Sequence, residues 1–377
     1  MDTTFNYFKV TSFKRGETEV VKYVLIEKKD IKSSKIAEKL INHNILVIQL
    51  PNNPLLNLFK ILYCIATLGK PEAIIYRYLN DFDNIFKNII KILVEKLEYW
   101  VATLLKIKIF WICHNLDRET HIYNPKINKI RRITRIKYSN KIFVTDPELV
   151  NFAPDFLNVD NKKIDSITFG EMENSEKNNS ESTEHIEINK KVIEYVKREQ
   201  KENKEKVYFT ICAGRSNHKT LHYERLHDLI NEGERKNIII RAIVIGPVKD
   251  YYKEINQEVY NFIESDDRVL YIDGFHNFDE NEFAHLIDFY WRVYKDFSIP
   301  GTLYKAVFLK KPIITMNFGI LNNIILNNKI GFVIENDFSN IEKVFRKVNR
   351  IPDENFELFS LSHNWNVAAE KLKKEIG

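Results

Sequence analysis

Short runs rich in isoleucine and valine recur along this chain, at residues 23–26, 45–50, 73–78, 107–113 and 141–145, and stretches of helical character lie between them. Apolar runs of this length, without polar alternation, are what strands buried on both faces look like, and such strands belong to parallel sheets covered by helices. Right-handed crossovers then wind the chain into a doubly wound α/β domain. The stretches 33–41 and 54–68 supply two of the helices. The clearest helix spans 85–106, where Phe86, Ile89, Ile90, Leu93, Leu97, Trp100, Val101 and Leu104 fall three and four apart, with Lys87, Lys91 and Glu95 opposite. This stripe is expected to pack on a sheet, with a membrane surface as the alternative partner.

The pattern breaks near Gly170. From 171 to 206 the chain is dominated by Glu, Asn, Lys and Ser; up to about 184 it reads as a solvated linker, and 186–206 as a charged surface helix. A second series follows, with strands at 207–212, 238–245, 269–272, 312–315 and 331–334 and a helix at 221–231. At 377 residues the chain is too long for one ordinary core. We therefore expect a Rossmann-like domain over 1–170, a linker over 171–206, a second Rossmann-like domain over 207–350, and a final helical segment, 351–377, returning towards the first. Two such domains enclose a cleft, and their ligands sit at the carboxyl ends of the strands.

Composition narrows the function classes. With 44% hydrophobic and 29% charged residues the chain is a folding one. No run approaches the roughly 18 apolar residues of a membrane span, and the first residues lack the basic-then-apolar pattern of a secretory signal. Cys64, Cys113 and Cys212 are too dispersed for a disulfide framework or a zinc site, so a reducing cytoplasm is the expected location. His218 and His222 lie four apart without a third ligand, which favours a surface pair over a metal. Nucleophile-elbow, P-loop, HExxH and CxxC motifs are missing. Residues 127–137 are basic but read as a solvated helix, so nucleic acid is not an expected partner. Residues 1–150 carry 25 Lys and Arg against 15 Asp and Glu, while the remainder carries 32 against 37. A basic first half suits an anionic membrane surface, a lipid diphosphate or an anionic glycan; a lysine-rich codon bias gives the same count.

Four patterns in the second half carry candidate chemistry. Ala213-Gly214-Arg215-Ser216-Asn217-His218-Lys219 follows a strand and precedes a helix, placing Arg215 and Lys219 beside a helix start, as a diphosphate would require. An ordinary basic turn has the same look. Strands ending at Gly246 and at Gly274-Phe275 permit close backbone approach, or simply turn. Pro300, Gly301 and Thr302 stand where a helix should begin, so free amides there would suit a phosphate, with the Thr302 hydroxyl as cap or ligand. An ordinary capped helix is the alternative.

Taken in order, these elements resemble the GT-B glycosyltransferases, particularly their GT4-like branch. The resemblance runs on through Lys311-Pro312, Asn317-Phe318-Gly319, the 327–333 segment and a tryptophan-bearing stretch ending at Trp365, and covers most of 207–377. It implies transfer of a sugar from a nucleotide-diphosphate sugar to a glycan or lipid-linked glycan, with retention of configuration and without a metal or other cofactor. Gly214, Arg215, Lys219, Gly301 and Thr302 would bind the donor diphosphate, and Gly246, Gly274, Phe275, Pro300, Leu303 and Lys305 would lie near the nucleotide. In the first half, Trp111-Ile112-Cys113-His114-Asn115 resembles the strand end that carries an active-site histidine. His114 would orient the sugar or support developing charge. Asn115, Arg118 and Glu119 would lie near the acceptor, with His121 close by; a solvated loop is the other reading of these residues.

Two features depart from the family. Its paired glutamates, eight positions apart, correspond here to Phe297 and Lys305, with Asp296 adjacent, and the glycine-rich first loop is missing. Lys305 cannot accept hydrogen bonds from a ribose. A non-catalytic GT-B partner subunit and a sugar-nucleotide epimerase are the alternatives these departures raise.

Overall fold

The computed structural model describes residues 22–117, 119, 122–171, 183–214, 219–274 and 280–377. Six parallel strands, β1 (Lys22–Ile26), β2 (Ile45–Gln49), β3 (Ala73–Tyr76), β4 (Lys108–Cys113), β5 (Lys141–Val144) and β6 (Ile164–Ser166), form one sheet in the order β2-β1-β3-β4-β5-β6. They alternate with α1 (Ile31–Ile41), α2 (Asn57–Leu68), α3 (Ile85–Leu104), α4 (Pro125–Tyr138) and the short α5 (Ala153–Leu157). After α6 (Thr183–Glu202) come β7 (Val207–Ala213), β8 (Ile239–Ile245), β9 (Val269–Ile272), β10 (Phe289–Trp291), β11 (Ile313–Met316) and β12 (Gly331–Ile334). These form a second parallel sheet in the order β12-β11-β10-β7-β8-β9. Its helices are α7 (His222–Arg235), α8 (Lys249–Ile255), α9 (Gln257–Ser265), α10 (Glu280–Phe283), α11 (Gly301–Phe308), α12 (Leu321–Asn328) and α13 (Ile341–Phe345). Then α14 (Asp353–Ser362) and α15 (Trp365–Ile376) close the chain, and α15 packs on α1.

The two doubly wound sheets expected from the alternating runs are present, and each contains one strand that the runs do not reveal. β6 is an edge strand whose Asp165 and Ser166 hide it from an apolar search. β10 lies inside the second sheet, but it is three residues long and flanked by Asp288 and Arg292. Local signals fix several helix starts. Asp30 and Ser33 form a reciprocal capping box on α1, Asn84 caps α3, and Asn364 caps α15, each accepting from free amides of the first turn.

The apolar stripe of α3 faces the opposite way from expectation. Phe86, Leu93, Leu97, Trp100 and Leu104 are exposed, whereas Asn88, Lys91, Glu95, Glu98 and Tyr99 are buried. The reason is a polar network between α3, α4 and the loop after β3. Arg131 binds Glu95 through two bonds of 2.9 and 2.7 Å, and Arg135 reaches the same carboxylate at 3.0 Å. Arg131, Arg135, Asn128 and Lys91 also donate to backbone carbonyls of Tyr78, Leu79 and Asn80. Burial alone would raise the Glu95 carboxyl, but the two guanidiniums outweigh it and hold it down at about 2. Deeper in, burial pushes Glu98 up to about 8, and Tyr76 donates to it at 2.8 Å. Charges paired this completely hold the polar face inward even though the stripe is left in water.

Candidate functional site

Topology places the site. In the first sheet the strand order reverses between β1 and β3, and in the second between β7 and β10. A crevice opens at the carboxyl ends of strands at such a point. A cavity of about 230 Å³ lies between the two edges. The first half contributes Lys32, Tyr78, His114, Asn115, Thr145 and Phe169 to its wall. The second contributes Lys219, Tyr294, Ser298, Ile299, Pro300 and Tyr304.

His114 follows β4, as the strand-end reading expected. Its ring stacks between Tyr78, at 4.9 Å, and Phe169, at 5.6 Å. Burial, with Lys32 and Arg77 adding positive charge nearby, depresses the imidazole well below its usual value, so it is neutral at pH 7. Its buried Nε2 has no hydrogen-bond partner among the described residues. A neutral imidazole with an unused nitrogen can exchange a hydrogen bond with a ligand hydroxyl.

Lys32, in the first turn of α1, is a cavity residue the sequence reading missed. Its ammonium lies 5.1 Å from the Phe169 ring centroid. Burial and the neighbouring Arg77 push it down to about 8, partly offset by Asp30. Its signal was positional: a lysine just beyond a capped helix start on the carboxyl side of β1. Arg292, after β10, was missed with its strand. It is buried, donates to the Ala213 carbonyl, lies 3.3 Å from His222, and keeps an unsatisfied Nε among the described residues.

Several of the expected site residues have partners within the protein. Lys219 reaches the cavity, but it is buried in an ion pair with Asp296 at 3.1 Å and donates to Asn115 at 2.8 Å. Lys305 pairs with Glu171 of the connecting segment at 3.2 Å. Phe297 packs on Phe152 and Phe156 across the junction between the halves. Its carbonyl accepts from Leu116, and Asn115 bridges Ser298 in antiparallel fashion. Burial raises the Asp296 carboxyl above its ordinary range, with Lys219 opposing and Asp117 reinforcing the rise.

Glu119 is not a solvated loop residue. It is buried, accepts from Asn115 at 2.9 Å and lies 3.7 Å from Arg132, bracing the loop that carries His114. His222 is not on the surface either; it is buried against Tyr223. Pro300 is the N-cap of α11, so Thr302 is not its cap, and the Thr302 hydroxyl lacks a partner among the described residues. Gly301 is exposed and Leu303 is core. The backbone itself requires a glycine at 246: a Cβ there would sit 2.5 Å from the Gly214 carbonyl oxygen, and its φ is +145°. Gly214, Gly246 and Gly274 all have positive φ and end β7, β8 and β9 on the cleft side. Arg118, His121, Arg215, Ser216, Asn217, His218 and Phe275 lie outside the described residues. No cluster of three or more metal-ligating side chains occurs among the described residues.

No family model matches the sequence, and no curated protein matches it. Solved structures do. A glycosyltransferase from Rickettsia africae aligns with a TM-score of 0.61 at 13% identity, over 94% of this chain and 97% of that one. Sucrose-phosphate synthase from Thermosynechococcus elongatus aligns at 0.60 and 11% identity, over 94% and 98%. HepE from Anabaena, solved in complex with UDP, aligns at 0.58 and 11% identity, over 94% and 99%. At such identities the likeness is one of fold. This chain has the two-domain, Rossmann-like GT-B fold, with two parallel doubly wound sheets facing each other across a cleft.

Proposed function

We propose that the protein is a glycosyltransferase that moves a sugar from a nucleotide-diphosphate sugar to a hydroxyl of a glycan or lipid-linked glycan. One observation carries this reading: a neutral histidine with an unused nitrogen and two lysines, Lys32 and Lys219, converge from opposite sheets on one cavity at both topological switch points. In the reaction the bond from the anomeric carbon to the diphosphate oxygen breaks, and the electron pair leaves with the diphosphate. The acceptor oxygen bonds to the same carbon, and its proton passes to the departing phosphate. Lys32, Arg215 and the amides at Gly301 and Thr302 stabilise the leaving charge, so the scheme needs no metal. His114 holds a sugar hydroxyl. Retention of configuration and a cytoplasmic site of action in cell-surface polysaccharide synthesis belong to the same reading.

A cavity of about 230 Å³ is smaller than typical ligand sites of roughly 300–1,000 Å³, so the halves part to admit the donor. The test is release of nucleoside diphosphate from a panel of nucleotide sugars, with the anomeric configuration of the product read by NMR. His114→Ala should lose turnover while keeping nucleotide affinity. A second reading, a nucleotide-sugar-binding partner without turnover, draws on the pairing of Lys219 with Asp296 and of Lys305 with Glu171. Donor binding without product, across a broad acceptor set, would select it.

A further inference from the structure

Right-handed crossovers place α2, α3 and α4 side by side on one face of the first sheet, with α3 in the middle, while α1 and α15 cover the other face. The outward surface of this three-helix layer is apolar. Phe86, Ile90, Leu93, Leu97, Trp100 and Leu104 run along α3 at alternating spacings of four and three. Phe59 and Tyr63 extend the patch on α2, and Ile130 and Ile133 extend it on α4. A 20-residue helix is about 30 Å long, and neighbours about 10 Å away broaden the strip. That exceeds the few hundred Å² of contiguous apolar surface that a soluble monomer ordinarily shows.

The charges say what covers it. Glu95 and Glu98 are the carboxylates of these three helices, and both are buried. The exposed charges among the apolar residues are Lys87 and Lys96 on α3 and Lys126, Lys129 and Lys137 on α4. A second copy docking on the same face would set lysine against lysine, because a two-fold interface pairs a patch with itself. An anionic lipid surface complements both properties at once. We propose that the α2–α3–α4 face lies on an anionic bilayer, its apolar residues at the level of the acyl boundary and its lysines among the headgroups. No described helix is long and apolar enough to cross a membrane, so the contact is interfacial. The amino ends of α3 and α4 follow the carboxyl edges of β3 and β4, so the cleft opens close to the lipid. The docking itself does not depend on the chemistry of the cleft.

Trp100 is exposed, while Trp111, Trp291 and Trp365 are buried, so the face carries its own reporter. The experiment titrates the full chain with vesicles of phosphatidylcholine alone and of phosphatidylcholine mixed with phosphatidylglycerol, following tryptophan emission and co-sedimentation. Binding to the anionic vesicles with a blue shift, weakened by salt, is expected, and Trp100→Phe should remove most of the shift while the protein still sediments. Leu93→Glu with Leu97→Glu should abolish binding at an unchanged Tm, since both side chains stand in water. Each of Lys87→Gln and Lys96→Gln should weaken partitioning roughly fivefold. No sedimentation with anionic vesicles, binding that survives the glutamate pair, or a solution dimer dispersed by that pair would each overturn the proposal.

Discussion

Lys219 and Asp296 share a buried site, so their charges answer first for stability and only then for ligand. Replacing Lys219 by Met leaves a buried carboxylate uncompensated and should cost about 3–5 kcal/mol, measured by denaturant unfolding. Adding Asp296→Asn should recover most of that loss. If the single variant unfolds like the wild type, the pair has no structural role. Lys32 differs because its depressed value of about 8 in the free protein sets a pH window. It is a cation below that value and neutral above it, so nucleotide affinity should hold steady up to about pH 8 and fall at higher pH. Titration calorimetry should show this fall in the wild type and its absence in Lys32→Met. Of the candidate site residues, His114, Asn115, Lys219 and Pro300 were legible from strand ends and helix starts and do line the cavity. Lys32, Tyr78 and Arg292 were not: Lys32 in the first turn of α1 and Tyr78 in the loop after β3 belong to no motif, and Arg292 follows a strand too short to notice.

At the scale of elements, α3 shows where periodicity stops being informative. A stripe at helical spacing marks two faces, and it does not say which of them is buried. The decision is made by Arg131 and Arg135 of another helix, which need Glu95 as their counterion. Leu93→Ala should therefore change stability by no more than about 0.5 kcal/mol, where a packed leucine would cost about 2–5 kcal/mol. Glu95→Ala should cost about 3–5 kcal/mol by stranding two buried guanidiniums. Equal losses from the two variants would mean that the stripe is packed in solution. Buried parallel strands, by contrast, need Ile and Val whatever their neighbours, so most of both sheets could be read directly from the chain.

At the scale of the whole molecule, the contacts between the halves include the Asn115–Ser298 bridge, the Lys219–Asn115 bond, the Phe297 cluster with Phe152 and Phe156, and His363 against Asp146 at 3.1 Å. Phe297→Ala should loosen this closure and enlarge the radius of gyration of the free protein in small-angle scattering. An unchanged radius would place the closing energy elsewhere. The central claim is that the cleft takes a nucleotide-diphosphate sugar, and a thermal-shift screen against UDP, GDP, TDP and ADP with their sugar conjugates tests it most directly. A ligand at 100 times its Kd stabilises the native state by about 2.7 kcal/mol, which is readily seen in Tm. One nucleotide should raise Tm selectively, with the shift lost in Arg215→Ala and reduced in Lys32→Met. A flat response to every nucleotide would contradict the account.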